Sequence, residues 1–227
     1  KADLRVFYGH TSHGNQILQG MGAMESAIYA FHESAAAVAG SLSIINYDGY
    51  DLGENGDLTW RDETVAQLTA AGNDRNVVVW SWCGGVSGNT AAGIDAYLAA
   101  MDQLERDYPN VTFVYMTGHL DGSGSGGTLH VLNERIRDYC RTNDKVLFDF
   151  ADIESYDPAG TDYLDLGADD GCNYVQGGVA HNWAEEWCAG HPGDCSGCDC
   201  DHSNSLNCDR KARAFWWLLV QIQARRR

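Results

Sequence analysis

The strongest constraint in this sequence is a regular alternation of short apolar runs with longer segments of helical periodicity. Apolar runs at residues 4–8, 42–47, 77–82, 111–117 and 146–150 predict five β-strands. Between them, apolar side chains recur every three to four residues, as on the buried stripe of a helix. Strands that alternate with helices form a parallel sheet through right-handed crossovers, with helices on both faces. The pattern predicts a three-layer α/β/α sandwich with a five-stranded parallel sheet.

The length of the chain, 227 residues, suits one hydrophobic core and is short for two. Because neither an internal repeat nor an interdomain linker is visible, residues 1–227 are expected to form a single domain. Residues 151–208 show no clear periodicity and are predicted to be an irregular, cysteine-rich excursion before a last helix at 209–224. No run of eighteen apolar residues occurs, so no membrane span is expected.

The cysteines are concentrated near the end of the chain, where six of the eight lie between Cys172 and Cys208. An even number of cysteines in a Gly- and Asp-rich stretch favours disulfides, and therefore an oxidising compartment. The sequence starts at Lys1, as a processed chain would, so a secreted, extracellular or periplasmic location is expected. The alternative is a structural metal, because Cys195 and Cys198 have the spacing of a zinc knuckle, although no second such pair follows.

The formal net charge of −17 opposes binding to nucleic acid and to anionic lipid. No cofactor is required by the pattern, but clustered carboxylates make calcium a candidate ligand, even though neither cluster fits the twelve-residue calcium loop. The first cluster is Asp48, Asp51, Glu54 and Asp57, and the second is Asp162, Asp165, Asp169 and Asp170.

Ser12 lies where ligands of open parallel sheets bind, just beyond the carboxyl end of a predicted strand. It is flanked by Gly9 and Gly14 and stands at the start of the first predicted helix. A serine there is exposed at the sheet edge, next to backbone N–H groups that can hold an oxyanion. A helix N-cap alone would also explain a serine at this position.

A second candidate segment precedes the last helix, where Asp199-Cys200-Asp201-His202 reads D-x-x-H. A nucleophilic serine needs a base within hydrogen-bond reach, and that base needs an acceptor to orient it. His202 could supply the base and Asp199 the acceptor, with neighbouring cysteines holding both in place. The alternative is that the acids are solvated loop residues and that His202 binds a metal or caps a helix.

The serine after the first strand, the D-x-x-H before the last helix and the intervening α/β sheet together resemble the SGNH (GDSL-type) hydrolase superfamily. The resemblance implies a flavodoxin-like sheet and a Ser-His-Asp triad of Ser12, His202 and Asp199. Such triads hydrolyse esters, commonly acetyl groups on carbohydrates or lipid acyl chains. The Gly-Asp-Ser block of the family reads Gly9-His10-Thr11-Ser12 here, with one residue more and no Asp.

The resemblance also implies oxyanion donors after the second and third strands. Gly49 or Gly53 matches the oxyanion glycine that follows the second strand in the family. The Gly-x-Asn-Asp block after the third strand is absent, and Gly84-Gly85-Val86-Ser87-Gly88-Asn89 stands in its place. Gly84 and Asn89 are therefore the remaining candidates for contacts to the substrate oxygen.

Three histidines should reach the same edge, because His10 and His13 bracket Ser12 and His119 follows the fourth strand. They could position substrate or, as a group of imidazoles, bind a divalent metal. Aromatic side chains could stack on sugar rings, although such residues more often belong to the core. The candidates for stacking are Trp60, Trp82, Trp183 and Trp187.

The sequence therefore predicts a secreted serine esterase that acts on a small-molecule or polysaccharide ester, without a nucleic-acid partner. The alternative is a catalytically silent extracellular protein that binds calcium or carbohydrate on the same fold. The strong acidity and the absent Gly-x-Asn-Asp block motivate that alternative. A metal-dependent hydrolase built on His10, His13 and His119 is a third hypothesis, and no oligomeric state is predicted.

Overall fold

The computed structural model describes residues 1 and 3–226, and its central element is a parallel sheet. The strands are β1 (Arg5–His10), β2 (Phe31–His32), β3 (Leu42–Asp48), β4 (Val77–Trp80), β5 (Thr112–Met116) and β6 (Val146–Phe148). They lie in the order β2-β3-β1-β4-β5-β6, and every neighbouring pair is parallel. The predicted α/β architecture is confirmed, but the predicted number of five strands is wrong, because the sheet has six.

The additional strand β2 explains the error. It contains only Phe31 and His32, which pair with Leu42 and Ser43 at the edge of the sheet. Two residues are too few to show the alternation by which a strand is recognised. Phe31 also continues an apolar spacing of three to four residues that starts in the first helix, so the pattern indicates a helix over Ile17, Met21, Met24, Ile28 and Phe31, whereas the helix ends at Ala23.

Helices cover both faces of the sheet. They are α1 (Ser12–Ala23), α2 (Thr59–Thr69), α3 (Ala91–Asp107), α4 (Thr128–Thr142), α5 (Phe150–Ser155), α6 (Trp183–Gly190) and α7 (Ser205–Arg225). One group is formed by α1, α5 and α7, and a second by α2, α3 and α4. Among the described residues, no helix combines the length and apolar character that a bilayer crossing needs.

The core is densest around β4 and β1. All four residues of β4 are buried, as predicted for a strand covered on both faces. Gly9 in β1 lies against the Trp80 ring, and a Cβ at residue 9 would overlap with that ring. A Cβ on Gly14 would likewise overlap with the Ser81 hydroxyl. These two glycines let β1 and the start of α1 approach β4 closely, and this approach positions the residues that follow each strand.

Residues 151–208 were predicted to be irregular, and this prediction is wrong for much of the segment. It contains α5, α6 and an antiparallel hairpin of β7 (Asn173–Gln176) and β8 (Val179–Asn182). The hairpin turns at Gly177 and Gly178, which both have positive φ angles, as a two-residue hairpin turn requires. The density of Gly and Asp in the segment hides these short elements from a periodicity analysis.

The predicted disulfides are confirmed in part. Two bonds close short loops: Cys188–Cys195 joins α6 to the chain that follows it, and Cys200–Cys208 encloses the segment that directly precedes α7. The other four cysteines are free thiols, namely Cys83, Cys140, Cys172 and Cys198. The second disulfide joins the D-x-x-H segment to the first turn of α7, so the cross-link fixes the chain on both sides of His202.

Candidate active site

Ser12 and His202 meet at the carboxyl edge of the sheet, although 190 residues separate them in the sequence. Ser12 is the first residue of α1, directly after β1, and its Oγ lies 2.8 Å from Nε2 of His202. The serine hydroxyl can donate to this nitrogen when the imidazole is neutral. The two side chains therefore have the separation that a nucleophile and its general base require.

Asp199 does not complete a triad in this structure. Its side chain is exposed, and within residues 1 and 3–226 it makes no hydrogen bond. Nδ1 of His202 likewise has no hydrogen-bond partner among the described residues. The backbone of His202 is in the left-handed region, with a φ of 60°, a conformation that few residues other than glycine adopt. Contacts other than a carboxylate must therefore hold the imidazole in place.

Asp201, the residue before His202, attaches the segment that precedes α7 (the tail) to α1. Its carboxylate accepts hydrogen bonds from Asn15 Nδ2 at 2.8 Å and from Gln19 Nε2 at 3.0 Å. The Asp201 N–H donates to Gln19 Oε1 at 2.9 Å, and the Gln16 side chain donates to the Asp201 carbonyl oxygen. The hydrogen bond from Asn15, above all, lowers the pKa of Asp201. Asp201 was expected to have no role, and the signal that could have indicated one is the group of three amide side chains at positions 15, 16 and 19.

A buried ion pair supports this docking from below. Lys211 of α7 and Glu154 of α5 are both fully buried, and the Lys211 ammonium contacts Glu154 and the Gln16 side-chain oxygen. The other carboxylate oxygen of Glu154 accepts the Leu120 N–H at 2.7 Å. Removing one partner of such a pair typically costs about 3–5 kcal/mol, because it leaves an uncompensated charge. The pair thus fixes the amide of Gln16 that bonds the residue before His202.

A second group of reactive side chains, for which the sequence has no motif, lies beside Ser12. Cys83 follows β4, and its Sγ is 3.1 Å from Nδ1 of His13. Nε2 of the same ring lies 2.8 Å from a carboxylate oxygen of Asp170. The Cys83 Sγ is also 3.8 Å from the Ser12 Oγ. A thiol, an imidazole and a carboxylate are therefore aligned in the order of a nucleophile, a base and an orienting acid.

The electrostatics of these side chains favour charge separation. Hydrogen bonding to His13, above all, lowers the pKa of Cys83 to about 7. Burial of the His13 ring opposes its protonation, but hydrogen bonds to Asp170 and Cys83 outweigh burial and raise its pKa to about 9. Between these two values, a thiolate and an imidazolium coexist. The thiolate is the nucleophilic form of cysteine.

The three histidines do not converge as the metal hypothesis requires. His10 turns away, because its Nε2 lies 2.6 Å from Asn46 Oδ1. His119 does approach, but its ring stacks face to face on His13, with centroids 3.8 Å apart and an angle of 4° between the planes. The ligand lone pairs of an imidazole lie in the plane of its ring, so two rings in parallel planes cannot direct both at one ion about 2 Å away. His119 and Asp170 lie close to His13, but this stacking opposes a shared metal.

The predicted oxyanion donors differ in their availability. The Gly49 N–H donates to the His10 carbonyl oxygen, and the Asn89 amide donates to the Gly53 carbonyl oxygen, so both donors are occupied. Gly84 is exposed, and its N–H has no partner among the described residues. The first amides of α1 have no intrahelical acceptor and stand beside the Ser12 hydroxyl. Gly84 and the start of α1 are therefore the available donors.

Several carboxylates of the two acidic clusters accept hydrogen bonds from protein groups. Asp51 accepts the Cys83 N–H at 2.7 Å, and Asp57 accepts the N–H and hydroxyl of Thr59 at the start of α2. In the second cluster, Asp169 accepts hydrogen bonds from Asn173. Within the part of the chain that the structure describes, the one group of acidic, histidine or cysteine side chains close enough to share an ion is that of His13, His119 and Asp170. Among the described residues, Asp170 alone of the carboxylates predicted to hold calcium belongs to this group.

No family model and no curated protein matches the sequence. Among solved structures, an acetyl-xylooligosaccharide esterase from a Geobacillus species superposes with a TM-score of 0.51 at 11% identity, over 95% of this chain and 94% of that one. The chain has the fold of the SGNH hydrolases. An identity this low shows the fold alone.

Two further structures match less well. For a putative SGNH hydrolase from Slackia heliotrinireducens the TM-score is 0.49 at 12% identity, over 95% of this chain and 98% of that one. For TubZ of Clostridium botulinum phage c-st it is 0.37 at 14% identity, over 63% of this chain and 51% of that one. The chain thus spans about half the length of TubZ. Both scores lie below 0.5, so neither match bears on function.

Proposed function

We propose that this protein is a serine ester hydrolase in which Ser12 is the nucleophile and His202 the general base. The observation that carries the proposal is the distance of 2.8 Å between the Ser12 Oγ and the His202 Nε2. The SGNH hydrolase fold supports it, because Ser12 stands directly after β1 at the edge of the sheet where ligands bind.

The reaction follows from the positions of these groups. Ser12 attacks the ester carbonyl while His202 takes its proton, and His202 then protonates the leaving alkoxide. Water, deprotonated by His202, hydrolyses the acyl-serine and restores the hydroxyl. The first amides of α1 and the Gly84 N–H stabilise the tetrahedral oxyanion, and the loss of one such donor typically costs about 3 kcal/mol of the barrier.

The orientation of His202 is the unusual part of this proposal. Its ring stacks on that of His13, with centroids 4.5 Å apart and planes at 11°. This stacking and the docking of Asp201 on α1 restrain the imidazole from two sides. We propose that these contacts replace the acid predicted at Asp199, which makes no hydrogen bond to His202 here.

The substrate class and location remain proposals too. We propose an acyl or acetyl ester of a carbohydrate, because a solved structure that matches with a TM-score of 0.51 is named as an acetyl-xylooligosaccharide esterase. Trp60, Trp82 and Trp183 are buried, so they cannot stack on a sugar. The two disulfides support an extracellular or periplasmic location. No metal is needed for the steps above.

Replacement of Ser12 tests the proposal. With glycerol triacetate as substrate and acid release followed in a pH-stat, Ser12→Ala should lower kcat by at least about a thousandfold. Ser205→Ala, at the start of α7, is the matched control and should retain full activity. The Tm should be the same for both variants within a few degrees. A Ser12→Ala variant that releases acid at the wild-type rate would show that Ser12 is only a helix-start residue.

The catalytically silent alternative gives opposite results. A silent protein would leave Ser12 unmodified by a fluorophosphonate probe, whereas the proposal expects covalent labelling of Ser12 in the wild type and none in Ser12→Ala. A silent calcium-binding protein would also gain thermal stability with calcium and lose it with EDTA. Because several of the predicted carboxylates accept hydrogen bonds from protein groups instead, we expect no shift of the Tm with either.

A further inference from the structure

We propose that Cys83 is a second nucleophile of this site, which accepts acyl groups from thioesters with His13 and Asp170 as its acid–base partners. This activity goes beyond the ester hydrolysis proposed for Ser12, and it does not require the Ser12 hydroxyl. The observation that carries it is the continuous chain of contacts from Sγ of Cys83 through both nitrogens of His13 to Asp170.

Each member of this chain is held by a separate part of the fold. The Asp51 carboxylate fixes the backbone of Cys83 through its N–H. His13 lies in the first turn of α1, where only 7% of its surface is exposed. The backbone of Asp170 is fixed by a hydrogen bond from its N–H to the Leu120 carbonyl oxygen at 3.1 Å. None of these three residues belongs to the disulfide-bonded tail or to α7. These two parts add a hydrogen bond from Asn207 Nδ2 in α7 to the Asp170 carbonyl oxygen at 3.3 Å and the stacking of His202 in the tail on His13.

The thiol is accessible as well as aligned. Cys83 is only partly buried, while Cys140 and Cys172 are buried and lack an imidazole partner. Burial raises the pKa of both of those thiols to about 12, whereas hydrogen bonding to His13 lowers that of Cys83 to about 7. At neutral pH, Cys83 is thus the free thiol that combines access with thiolate character.

The chemistry of the leaving group selects the substrate class. A thiolate displaces another thiolate readily, because the two have similar basicity, and exchange is faster when the leaving thiol is more acidic. An alkoxide is a far stronger base, so a thiolate expels it poorly. Ser12 therefore suits alkyl esters, and Cys83 suits thioesters. The leaving group of the acyl donor, an alkoxide or a thiolate, therefore determines which of the two residues it reacts with.

The proposed reaction balances without a co-reactant other than water. The Cys83 thiolate forms a bond to the acyl carbon, and the carbonyl electron pair moves onto oxygen. Collapse of this intermediate breaks the bond to the leaving thiolate, which takes the proton from Nδ1 of the His13 imidazolium. Neutral His13 then removes a proton from water, which attacks the acyl-cysteine and releases a carboxylic acid and the Cys83 thiolate. Asp170 accepts the Nε2–H of His13 throughout.

Acylation of the intact protein tests the proposal. The probe is S-acetyl-N-acetylcysteamine, applied without reducing agent so that the disulfides persist, and the adduct is located by mass spectrometry of quenched samples. We expect one acetyl group on Cys83 in the wild type, at an unchanged rate within about threefold in Ser12→Ala, and none in Cys83→Ser. Cys198, a partly buried thiol without an imidazole partner, is the internal control and should stay unmodified.

Two variants test the acid–base partners. His13→Gln and Asp170→Asn should each slow acetylation of Cys83 by at least about tenfold, since positioned proton transfer contributes a hundredfold or more. Because His13 is buried, each variant is first compared with the wild type by circular dichroism. Should His13→Gln misfold, Asp170→Asn, whose side chain is less buried, provides the same readout.

The outcomes separate this proposal from the one made for Ser12. Acetylation that persists in Cys83→Ser and disappears in Ser12→Ala would overturn the role of Cys83 and leave the serine esterase intact. Equal acetylation of Cys83 and Cys198, or no effect of His13→Gln and Asp170→Asn, would also overturn it. Loss of triacetate hydrolysis in Ser12→Ala, with thioester acetylation of Cys83 retained, supports both proposals.

Discussion

The two proposed nucleophiles, Ser12 and Cys83, lie 3.8 Å apart between Oγ and Sγ but are supported by different parts of the molecule. Cys83 and its base His13 both come from segments that directly follow the parallel strands β4 and β1, and their contacts are largely buried. Ser12 shares that origin, but its base His202 comes from the tail before α7 and is exposed. The sheet thus positions the Cys83–His13 pair, whereas the Ser12–His202 pair depends on how the tail is attached.

This difference gives a physical reason for a disulfide next to His202. A side chain after a strand of a packed sheet is positioned by the core, which tolerates little displacement. A side chain on an irregular segment needs local restraints, and here these are the Cys200–Cys208 disulfide and the hydrogen bonds of Asp201 to α1. Weakening these restraints should therefore impair Ser12 chemistry and spare Cys83 chemistry.

Removing the disulfide beside His202 should have the largest effect. In Cys200→Ser/Cys208→Ser, we expect triacetate hydrolysis to fall by about a hundredfold, because a displacement of about 1 Å at a reacting group costs about that much. Acetylation of Cys83 by the thioester should stay within about threefold of the wild type. The measurement is the ratio of the two rates in a single preparation.

The other disulfide provides the control for this experiment. Cys188→Ser/Cys195→Ser removes the cross-link that closes a loop of similar size, and this loop does not include His202. It should lower the Tm by a similar amount while leaving triacetate hydrolysis within about threefold of the wild type. Equal loss of hydrolysis in both double variants would mean that general destabilisation, rather than the position of His202, explains the effect.

A smaller effect should come from the docking carboxylate. We expect Asp201→Asn to lower kcat for triacetate by about tenfold. Each carboxylate oxygen of Asp201 accepts from a different amide, whereas an asparagine has one acceptor oxygen, so its NH₂ group would face the NH₂ group of Asn15 or Gln19. Asp199→Asn is the matched comparison, and we expect a change of less than about threefold. A loss of several thousandfold in Asp199→Asn, as when the acid of a triad is neutralised, would instead restore Asp199 as the orienting acid.

The sequence predicted some elements of this fold and missed others, and the difference lies in how much surface each element buries. The apolar runs predicted the parallel sheet because strands buried on both faces, such as β4, are almost entirely apolar. They could not reveal β2, which has two residues, or the β7–β8 hairpin, whose strands carry exposed Val175 and Val179 and no buried stripe. Periodicity detects elements that bury a face, and these elements bury little.

The candidate site, like the fold, was predictable only in part. Ser12 and His202 were expected to meet because an SGNH-like order of motifs implies it, and they lie within hydrogen-bond distance. The Cys83–His13–Asp170 chain combines a residue after β4, a helix residue and a loop residue, with no motif spacing to connect them. Only the topology, which brings β1 and β4 side by side, places Cys83 next to His13.

The reactivity of Cys83 should change modestly when its base is removed. His13→Gln should return the pKa of Cys83 from about 7 toward the ordinary value of about 8.5. At pH 7 the thiolate fraction would then fall by about fifteenfold, while the more basic thiolate would be about fivefold more nucleophilic. The net expectation is an alkylation rate by iodoacetamide about threefold slower, with the midpoint of its pH profile shifted upward. An unshifted midpoint would show that His13 does not govern this thiol.

The smallest effect concerns stability, where the two members of the pair act in opposite directions. His13 has a raised pKa, so its contribution is complete below about pH 6.5 and is lost as the pH rises through about 9. Cys83 has a lowered pKa, so its contribution is complete above about pH 9 and is lost as the pH falls through about 7. Between these values the two slopes oppose each other, and the free energy of unfolding of the wild type should change little because of this pair.

Cys83→Ser removes one slope and leaves the other. Asp170 still raises the pKa of His13, so the free energy of unfolding of this variant should fall, relative to the wild type, as the pH rises from about 7 to about 9. Urea unfolding at several pH values measures the difference between the two curves. Parallel curves would mean that the thiol and the imidazole do not exchange charge in the folded protein. The contact between Cys83 and His13 would then be structural, and Ser12 would be the one nucleophile at this edge of the sheet.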